Sequence, residues 1–380
     1  MRLIILFIYI FSASAIANEL EDKLSHQINN IFANISSKGS PGCSIGIIQD
    51  NLLIFKKGYG LANIEHHIPL TSQSIFRIAS VSKQFTALAI LLLVDDGKIE
   101  LDKDIRTYLP ELNDYGVKVT VNSMLGHFSG MGDFDSLDVL TNSSLKSVSG
   151  GELRLGNQDY LSNDEFYDIV KMLPLKNNPD QKLEYSNFAY FLLSKLVERQ
   201  SGLTLREFTN KRIFKPLGMK NTFFNDNHNE VILNRATGYR RSESGSYEIN
   251  MTNLSWVGDG GLHTSIQDLV LWDNHFYQPK LGKNPKQLIV QMNTPNSKHN
   301  IDGWMYANGQ FVKQLSKYKT FEHTGDWLGT STFYARVPEN KVSVAVLCND
   351  VDLNAPKYGV EALGIVHKLI ADVGSTINIK

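Results

Sequence analysis

The sequence predicts an α+β fold: one antiparallel sheet flanked by N- and C-terminal helices, with an inserted, mainly helical lobe. Three observations support this prediction. Short runs rich in β-branched residues occur near both chain ends. Each end also carries one amphipathic helix. The middle of the chain instead shows helical periodicity interrupted by loops, so we expect the sheet to be built from the two ends.

The N-terminal elements are a helix and a hairpin. The first helix is indicated by apolar residues at helical spacing, namely Leu20, Leu24, Ile28, Ile31, Phe32 and Ile35. Residues 43–48 and 52–58 are predicted strands, joined by a turn at 49–51. We expect this hairpin to supply the first two strands of the sheet.

The middle of the chain is predicted to surround a buried central helix. Residues 87–94 are apolar on every face, which is typical of a core helix, and Gly97 is expected to follow its end. Another helix is predicted at 190–200, ending before Gly202. A third is predicted at 267–272.

The C-terminal elements complete the sheet. Residues 330–337 and 341–348 are predicted strands. A final amphipathic helix carries Val360, Leu363, Val366, Leu369 and Ile370. We therefore expect a single domain at 18–380, with a sheet lobe at about 18–68 plus 302–380 and a helical lobe at about 69–301.

The two cysteines lie at the ends of predicted strands. Cys43 opens the first strand and Cys348 closes the last. If these strands pair antiparallel, the two thiols meet and a disulfide can form. If they do not, both remain buried free thiols, and the sequence leaves both outcomes open.

The N-terminus has the pattern of a secretory leader. Arg2 precedes an apolar run at 3–11, and Ala15 and Ala17 form a small-residue cleavage site. Residues 1–17 are therefore a predicted signal peptide, and we expect an exported protein, periplasmic or secreted. No later apolar run reaches the ~20 residues of a membrane helix, so no integral membrane segment is expected after signal removal.

Composition and charge restrict the partners. The chain has 380 residues, net charge −1, and no dominant basic stretch, so nucleic acid is not expected. No His-Glu-x-x-His pattern occurs and no phosphate-binding glycine-rich loop is evident, so neither a metal nor a cofactor is expected. The expected partner is a small-molecule or short peptide substrate.

Serine followed by lysine three residues later occurs at Ser80, Ser143 and Ser316. Ser143 lies in a Ser/Gly-rich stretch and Ser316 in a polar run, whereas Ser80 precedes the buried helix. At a helix start, Lys83 shares a face with Ser80 and can take its proton, while the helix N-terminus can stabilise an oxyanion. Ser80 is therefore the predicted nucleophile, although an N-cap serine would occupy the same position.

A second proton-handling group is needed beside Lys83. A lysine acts as a base only when neutral, which its reference pKa of ~10.4 disfavours unless burial or a neighbouring positive charge lowers it. Tyr185, followed by Ser186 and Asn187, lies between a turn and an apolar helix and is the predicted partner. A similar tripeptide starts at Tyr306 but leads into a predicted hairpin turn. A packed tyrosine with an exposed hydroxyl is the competing interpretation for Tyr185.

A third segment is predicted to hold the substrate. His323, Thr324 and Gly325 lie where a strand is expected, and the glycine lets a ligand approach the backbone closely. The backbone N–H groups of Asp326 and Ser80 are the expected oxyanion hole. A half-buried strand histidine bonded to its neighbours is the competing interpretation for His323.

These three motifs, in this order, resemble those of the class C β-lactamase and D,D-peptidase superfamily, which are penicillin-binding-protein-like serine hydrolases. The segment around His127 resembles the family's His-x-Ser-Gly-Leu stretch, and residues 258–262 resemble its Gly-Gly-Leu turn. The similarity covers most of residues 20–375. It implies the β-lactamase/transpeptidase-like fold and hydrolysis of an amide or ester bond in a D-amino-acid peptide, a small ester or a β-lactam-like substrate.

The resemblance also implies roles for individual residues. Ser80 would form an acyl-enzyme, Lys83 and Tyr185 would share base and acid duty, and Asn187 would bond Lys83 or the substrate amide. One position departs from the pattern, because the third motif usually begins with lysine and here begins with His323. A mostly neutral histidine attracts an anionic substrate less, and His-x-Gly variants resemble esterases and D-aminopeptidases, so weak or absent β-lactamase activity is expected.

Two other functions remain open from the sequence. The protein could be a penicillin sensor or binding module that is acylated without turnover. It could also be an α/β-hydrolase using Ser44, which lies in a Gly-x-Ser-x-Gly pattern. The latter is disfavoured because that pattern requires a strand-to-helix turn, and Ser44 lies in a β-branched run leading into a hairpin.

Overall fold

Both chain ends contribute strands to one large sheet in the computed structural model, which describes residues 21–35, 39–137, 161–315 and 317–377, with side chains as far as 371. In the described residues the strands are, in chain order, β1 Cys43–Gln49, β2 Leu52–Tyr59, β3 Leu61–Asn63, β4 Ile68–Pro69, β5 Phe76–Arg77, β6 Phe223–Phe224, β7 Tyr239–Arg241, β8 Tyr247–Ile249, β9 Leu262–Thr264, β10 Met305–Tyr306, β11 Phe311–Leu315, β12 Tyr318–Trp327, β13 Thr330–Val337 and β14 Val342–Cys348. The predicted leader, Ser143 and Ser316 lie outside the described residues.

The helices connect and cover these strands. Over the same described ranges the α-helices are 21–31, Lys83–Asp95, Val121–Leu125, Asn163–Val170, Asn187–Ser201, Leu205–Thr209, Lys215–Leu217, Ile266–Tyr277, Pro285–Met292 and Ala355–Ile377. Short 3-10 turns occur at Ala79–Ser82, Ile105–Thr107, Phe134–Leu137 and Pro338–Asn340, and a π-helical turn at Asn210–Phe214.

The large sheet has seven antiparallel strands in the order β10-β11-β12-β13-β14-β1-β2. Successive residues of a strand point to opposite faces. In β14, Val344 and Val346 therefore pack against the first and last helices, while Ala345 and Leu347 join the core of the helical insert. Because both faces are covered, every residue of the strand is buried, and the burial pattern shows no alternation.

The predicted hairpin and the disulfide are present. β1 pairs with β2 across a turn at Asp50 and Asn51, and β1 also pairs antiparallel with β14. That register places Cys43 directly opposite Cys348, and the two are joined by a disulfide. The predicted antiparallel sheet, covered by helices from both chain ends, is therefore confirmed.

The helical insert is built around Lys83–Asp95, which is buried from Lys83 to Leu93. Gly97 adopts a left-handed backbone with φ 77° after this helix, and Gly202 does so with φ 73° after Asn187–Ser201, both as predicted. The insert also contains small sheets in the orders β5-β9-β6 and β7-β8. The predicted, mainly helical insert is confirmed. Its small strands were not predicted, because strands of two or three residues are too short to show a period.

The Ser44 alternative is wrong. Ser44 lies inside β1, is fully buried, and donates a hydrogen bond from its hydroxyl to the Thr71 carbonyl at 2.9 Å. β1 continues through a hairpin into β2, so no strand-to-helix turn exposes this hydroxyl.

Candidate active site

The segment before Ser80 is held in an unusual backbone conformation. Ala79 has φ 45°, which is costly for a residue with a side chain. Two threonines of β13 anchor this segment, since the Thr330 hydroxyl donates to the Arg77 carbonyl at 3.0 Å and the Thr332 hydroxyl donates to the Ile78 carbonyl at 2.9 Å. Ser80 follows in the 3-10 turn Ala79–Ser82, which leads directly into the central helix. The predicted helix start is therefore a tighter turn.

Lys83 is the first residue of the central helix and is fully buried. Its Nζ donates to Ser80 Oγ at 3.1 Å, to Asn187 Oδ1 at 2.7 Å and to the Asp259 carbonyl at 2.6 Å. Burial lowers the pKa of Lys83 to about 8, although the carboxylates of Asp259 and Asp133 oppose the shift. Of the two causes named from the sequence, desolvation lowers this pKa, whereas the charges that act on Lys83 are negative and oppose the shift.

Tyr185 is placed by the start of the helix Asn187–Ser201. Ser186 caps that helix by accepting from the Ala189 N–H at 3.0 Å, and its own hydroxyl donates to the Gly132 carbonyl at 2.7 Å. Lys83 Nζ lies 4.8 Å from the centre of the Tyr185 ring. Burial raises the pKa of Tyr185 well above its ordinary value, and its interaction with Ser80 offsets this only in part. The phenol therefore stays protonated at neutral pH.

Asn187 links Lys83 to a carboxylate that the motifs did not reveal. Its side-chain oxygen accepts from Lys83, and its nitrogen donates to both oxygens of Asp133 at 3.0 Å. The amide orientation is therefore determined by partners on both sides. Asp259 was also missed, because its contact with Lys83 uses the backbone carbonyl, which any residue type could supply.

His323 is 2% exposed and is committed to internal hydrogen bonds. Its Nδ1 lies 2.6 Å from the Thr324 carbonyl oxygen, which can only accept, so Nδ1 carries the proton. Its Nε2 then accepts from the Tyr306 hydroxyl at 2.9 Å. Burial, together with the nearby positive charge of Lys83, lowers the pKa of His323 to about 3. The imidazole is neutral at physiological pH and has no spare N–H for an anion.

The rest of the third motif lies on β12 beside the nucleophile turn. A Cβ on Gly325 would come within 2.3 Å of the Ile78 carbonyl oxygen and 3.1 Å of the Ser80 nitrogen, so only glycine fits there. Thr324 is half-buried, and Asp326 is exposed near the end of the strand. The oxyanion hole formed by the N–H groups of Ser80 and Asp326 stays a prediction.

His127 supports Tyr185 from behind. It is fully buried, and its Nδ1 accepts from the Ser186 N–H at 3.1 Å. Its ring lies 4.2 Å from the Tyr185 ring and 4.4 Å from the Tyr306 ring, measured between centroids. Tyr306, considered above only as a rival to Tyr185, instead packs behind it and connects it to His323. Sequence similarity had pointed to the His127 segment without giving it a role.

The described ranges contain no cluster of three or more His, Cys, Asp or Glu side chains arranged to hold a metal ion. Within the same ranges, every helix is either too short or too polar to cross a bilayer.

Comparison with known proteins identifies the class of protein. Residues 18–362 match the family described as Beta-lactamase, and the chain therefore belongs to the beta-lactamase family of serine hydrolases. Among solved structures, the octameric penicillin-binding protein homologue from Pyrococcus abyssi has a TM-score of 0.77 at 26% identity and covers 91% of this chain and 77% of its own.

Two curated relatives have similar sequence identities to this chain. D-aminopeptidase from Gluconobacter oxydans is 24% identical over 81% of this chain, which spans only 56% of that relative's length. Protein flp from Staphylococcus aureus (strain MRSA252) is 25% identical over 94% of this chain and 70% of its own length.

Proposed function

We propose that this protein hydrolyses amide or ester bonds of small substrates or short peptides through an acyl-enzyme on Ser80. The observation that carries the proposal is the 3.1 Å contact between Lys83 Nζ and Ser80 Oγ, together with the Lys83 pKa of about 8. At that pKa about 9% of Lys83 is neutral at pH 7, against about 0.03% at the ordinary value. The cost of neutralising the base is correspondingly small.

The reaction uses the groups in a fixed order. Neutral Lys83 takes the Ser80 hydroxyl proton as Oγ bonds to the substrate carbonyl carbon, and backbone N–H groups stabilise the resulting oxyanion. The bond to the leaving group then breaks. Tyr185, which is protonated before this step, gives its proton to the leaving group and then recovers one from Lys83. Water attacks the Ser80 ester in the same way, which releases the acid and restores the hydroxyl.

We expect the third motif to make no strong contact with a carboxylate group of the substrate. His323 is neutral and uses both ring nitrogens internally, so that position supplies no cation. This supports D-amino-acid amides or peptides and small esters over β-lactams, whose binding in this family relies on a lysine there. The similarity to a D-aminopeptidase points the same way.

Activity-based labelling tests the proposal. Wild type, Ser80→Ala and Ser44→Ala are treated with a fluorophosphonate and with a fluorescent penicillin. We expect the fluorophosphonate to label wild type and Ser44→Ala, with no labelling of Ser80→Ala. Equal labelling of Ser80→Ala would contradict the proposal.

Turnover assays then separate hydrolysis from sensing. We expect hydrolysis of p-nitrophenyl acetate or of D-alanine p-nitroanilide, with nitrocefin turned over slowly or not at all. Intact-mass spectrometry follows the adduct on Ser80. A penicillin adduct that persists for hours without any turnover of amides or esters would instead indicate the sensor function, and rapid nitrocefin hydrolysis would contradict the substrate preference.

Export is part of the same proposal. The disulfide between Cys43 and Cys348 supports an oxidising compartment, since such bonds are rare in the cytosol. Cell fractionation with an antibody against the protein tests this, and the expected result is an extracytoplasmic protein that lacks residues 1–17.

A further inference from the structure

A small cavity lies behind the nucleophile segment, between β5, β9 and the turn that joins β12 to β13. Its volume is about 40 Å³, and its polar lining includes Arg77, Arg235, Asn225 and His263. A cavity needs roughly 10–15 Å³ on this measure to hold one water molecule. The space therefore suits a group of a few heavy atoms, and a peptide or a ring system would not fit.

The two arginines at this cavity have no partners among the described residues. No hydrogen bond or ion pair involves either guanidinium in the described part of the chain, and Arg77 Nε is buried without a partner. In those same ranges no Asp or Glu lines the cavity. Both arginines are partly buried, and arginines withdrawn from water are normally paired, because burying an unpaired charge is costly.

Asp259 is the acidic residue whose charge acts on Arg77, but it makes no hydrogen bond or ion pair with that guanidinium. Asp259 interacts with Arg77 through space, but its Oδ1 is buried and has no hydrogen-bond partner in the described ranges. Burial lowers the pKa of Arg77 to about 10, and burial also lowers that of Arg235. At Arg77 the charge of Asp259 offsets the effect of burial only in part, and at Arg235 burial is the cause of the shift.

We propose that this cavity binds a small oxyanion, a carboxylate or phosphate group, held by Arg77 and Arg235. The planar guanidinium fork matches two oxygens of such a group. Asn225 adds a donor, since its side-chain oxygen already accepts from the Asn227 N–H at 3.3 Å and its NH₂ group is left for a ligand. The His263 Nδ1 faces the Gly261 carbonyl at 3.2 Å, so Nδ1 carries its proton and Nε2 can accept one from a hydrogen phosphate.

The oxyanion site does not depend on the chemistry of Ser80. It can be measured by binding alone, in wild type and equally in Ser80→Ala. Isothermal titration and thermal denaturation are run with sodium phosphate, sodium sulfate and sodium acetate, each against sodium chloride at equal ionic strength. We expect a saturable rise in melting temperature and a measurable heat for at least one oxyanion and none for chloride.

Substitution of the arginines locates the binding. Arg77→Met and Arg235→Met keep the apolar stem and are expected to weaken oxyanion binding about tenfold or more, because each removes a charged hydrogen-bonding group. Arg240→Met is the control, since Arg240 is exposed and paired with Glu248 on the β7-β8 hairpin, and it changes the net charge equally. Its oxyanion affinity is expected to equal that of wild type.

The melting temperature of Arg77→Met, measured without added oxyanion, distinguishes this proposal from a purely structural role in which Arg77 balances the charge of Asp259. If Arg77 awaits a ligand, removing its unpaired charge leaves the melting temperature unchanged or raises it. A lower melting temperature in Arg77→Met, together with no oxyanion response in wild type, would show that Arg77 serves only to balance Asp259 and would overturn the proposal. If Arg77→Met does not fold, loss of binding in Arg235→Met still tests it. A preference for acetate indicates a carboxylate, and a preference for phosphate a phosphate group.

Discussion

The two ends of the candidate active site, around Lys83 and around His323, differ in charge. Lys83 is a cation with three acceptors at 2.6 to 3.1 Å and two carboxylates nearby. His323 is a neutral ring hydrogen-bonded to a phenol and a carbonyl and surrounded by the rings of Tyr185, Tyr306 and Phe311. Under the proposed function, the Lys83 end supplies the groups for acyl transfer, and the His323 end carries no charge that could bind an anionic substrate. We therefore expect the chemical step and the choice of substrate to depend on different residues.

The largest expected effect comes from removing the base while keeping its charge. In Lys83→Arg the side chain stays protonated, so it cannot accept the Ser80 proton. We expect kcat/KM to fall about 10²- to 10⁴-fold. Lys195→Arg is the control, because Lys195 is paired with Asp164 and Glu198 away from the site. Activity of Lys83→Arg within threefold of wild type would exclude Lys83 as the base.

Gly325→Ala tests the strand that connects the two ends. The added methyl would clash with the Ile78 carbonyl and the Thr332 hydroxyl, which lies 2.4 Å from the Cβ position, and would displace β12 from Ser80. We expect kcat/KM to fall on the order of 10²-fold, since small displacements of reacting groups carry such costs.

Gly364→Ala is the matched control, because no atom lies within 4 Å of its Cβ position in the last helix. It should leave activity unchanged and raise the free energy of unfolding by about 0.5–1 kcal/mol. Unimpaired turnover in Gly325→Ala would mean that β12 does not need to contact the nucleophile turn.

The pH dependence of kcat/KM reports the protonation of Lys83 and not that of His323. Since the base must be neutral, kcat/KM is expected to rise with pH through an apparent pKa of about 8, which is the value that burial gives Lys83. The increase from pH 7 to the plateau is about tenfold. Burial holds the pKa of His323 at about 3, so His323 does not change its protonation near neutral pH and does not affect the pH dependence of kcat/KM there. A profile that is flat from pH 6 to 9 would show that Lys83 is not the titrating base.

The smallest expected effect comes from restoring charge at the other end. In His323→Lys a cation replaces the neutral ring on β12, and we expect acylation by benzylpenicillin to speed up about fivefold, which corresponds to about 1 kcal/mol. His323→Gln, which is neutral, should give no gain. Stopped-flow or gel-based labelling measures the rate, and equal rates in both variants would show that charge at this position does not control the preference.

The sequence predicted the residues whose chemistry is local and missed those whose role arises from packing. Ser80 and Lys83 share a helix start, and Tyr185 and Asn187 lie beside a serine cap, so spacing and context were sufficient to find them. Asp133 contacts the Asn187 side chain and acts on Lys83 by its charge, and Asp259 acts on Lys83 through its backbone carbonyl and its charge. These contacts span tens to hundreds of residues and follow no short-range pattern.

The predicted lysine shift illustrates the same limit. Burial of Lys83 follows from the apolar helix that it begins, but the charges around it come from Asp133 and Asp259, which are distant in the chain and have no short-range pattern with Lys83. The small sheets of the insert were missed because strands of two or three residues carry no periodic signal. The long apolar and amphipathic segments, by contrast, were placed within a few residues of their observed ends.

The pairing of β1 with β14 also sets the order in which the pocket can be assembled. Residues 43–49 pair with residues 342–348, so the hairpin of β1 and β2 lacks its neighbouring strand until residues 342–348 have left the ribosome. β12 and β13, which hold the nucleophile turn, arrive equally late. Long-range strand pairing folds slowly and leaves hairpin edges exposed meanwhile. A nascent or truncated chain that ends before β12 therefore carries Ser80 and Lys83 without the strands that hold the nucleophile turn.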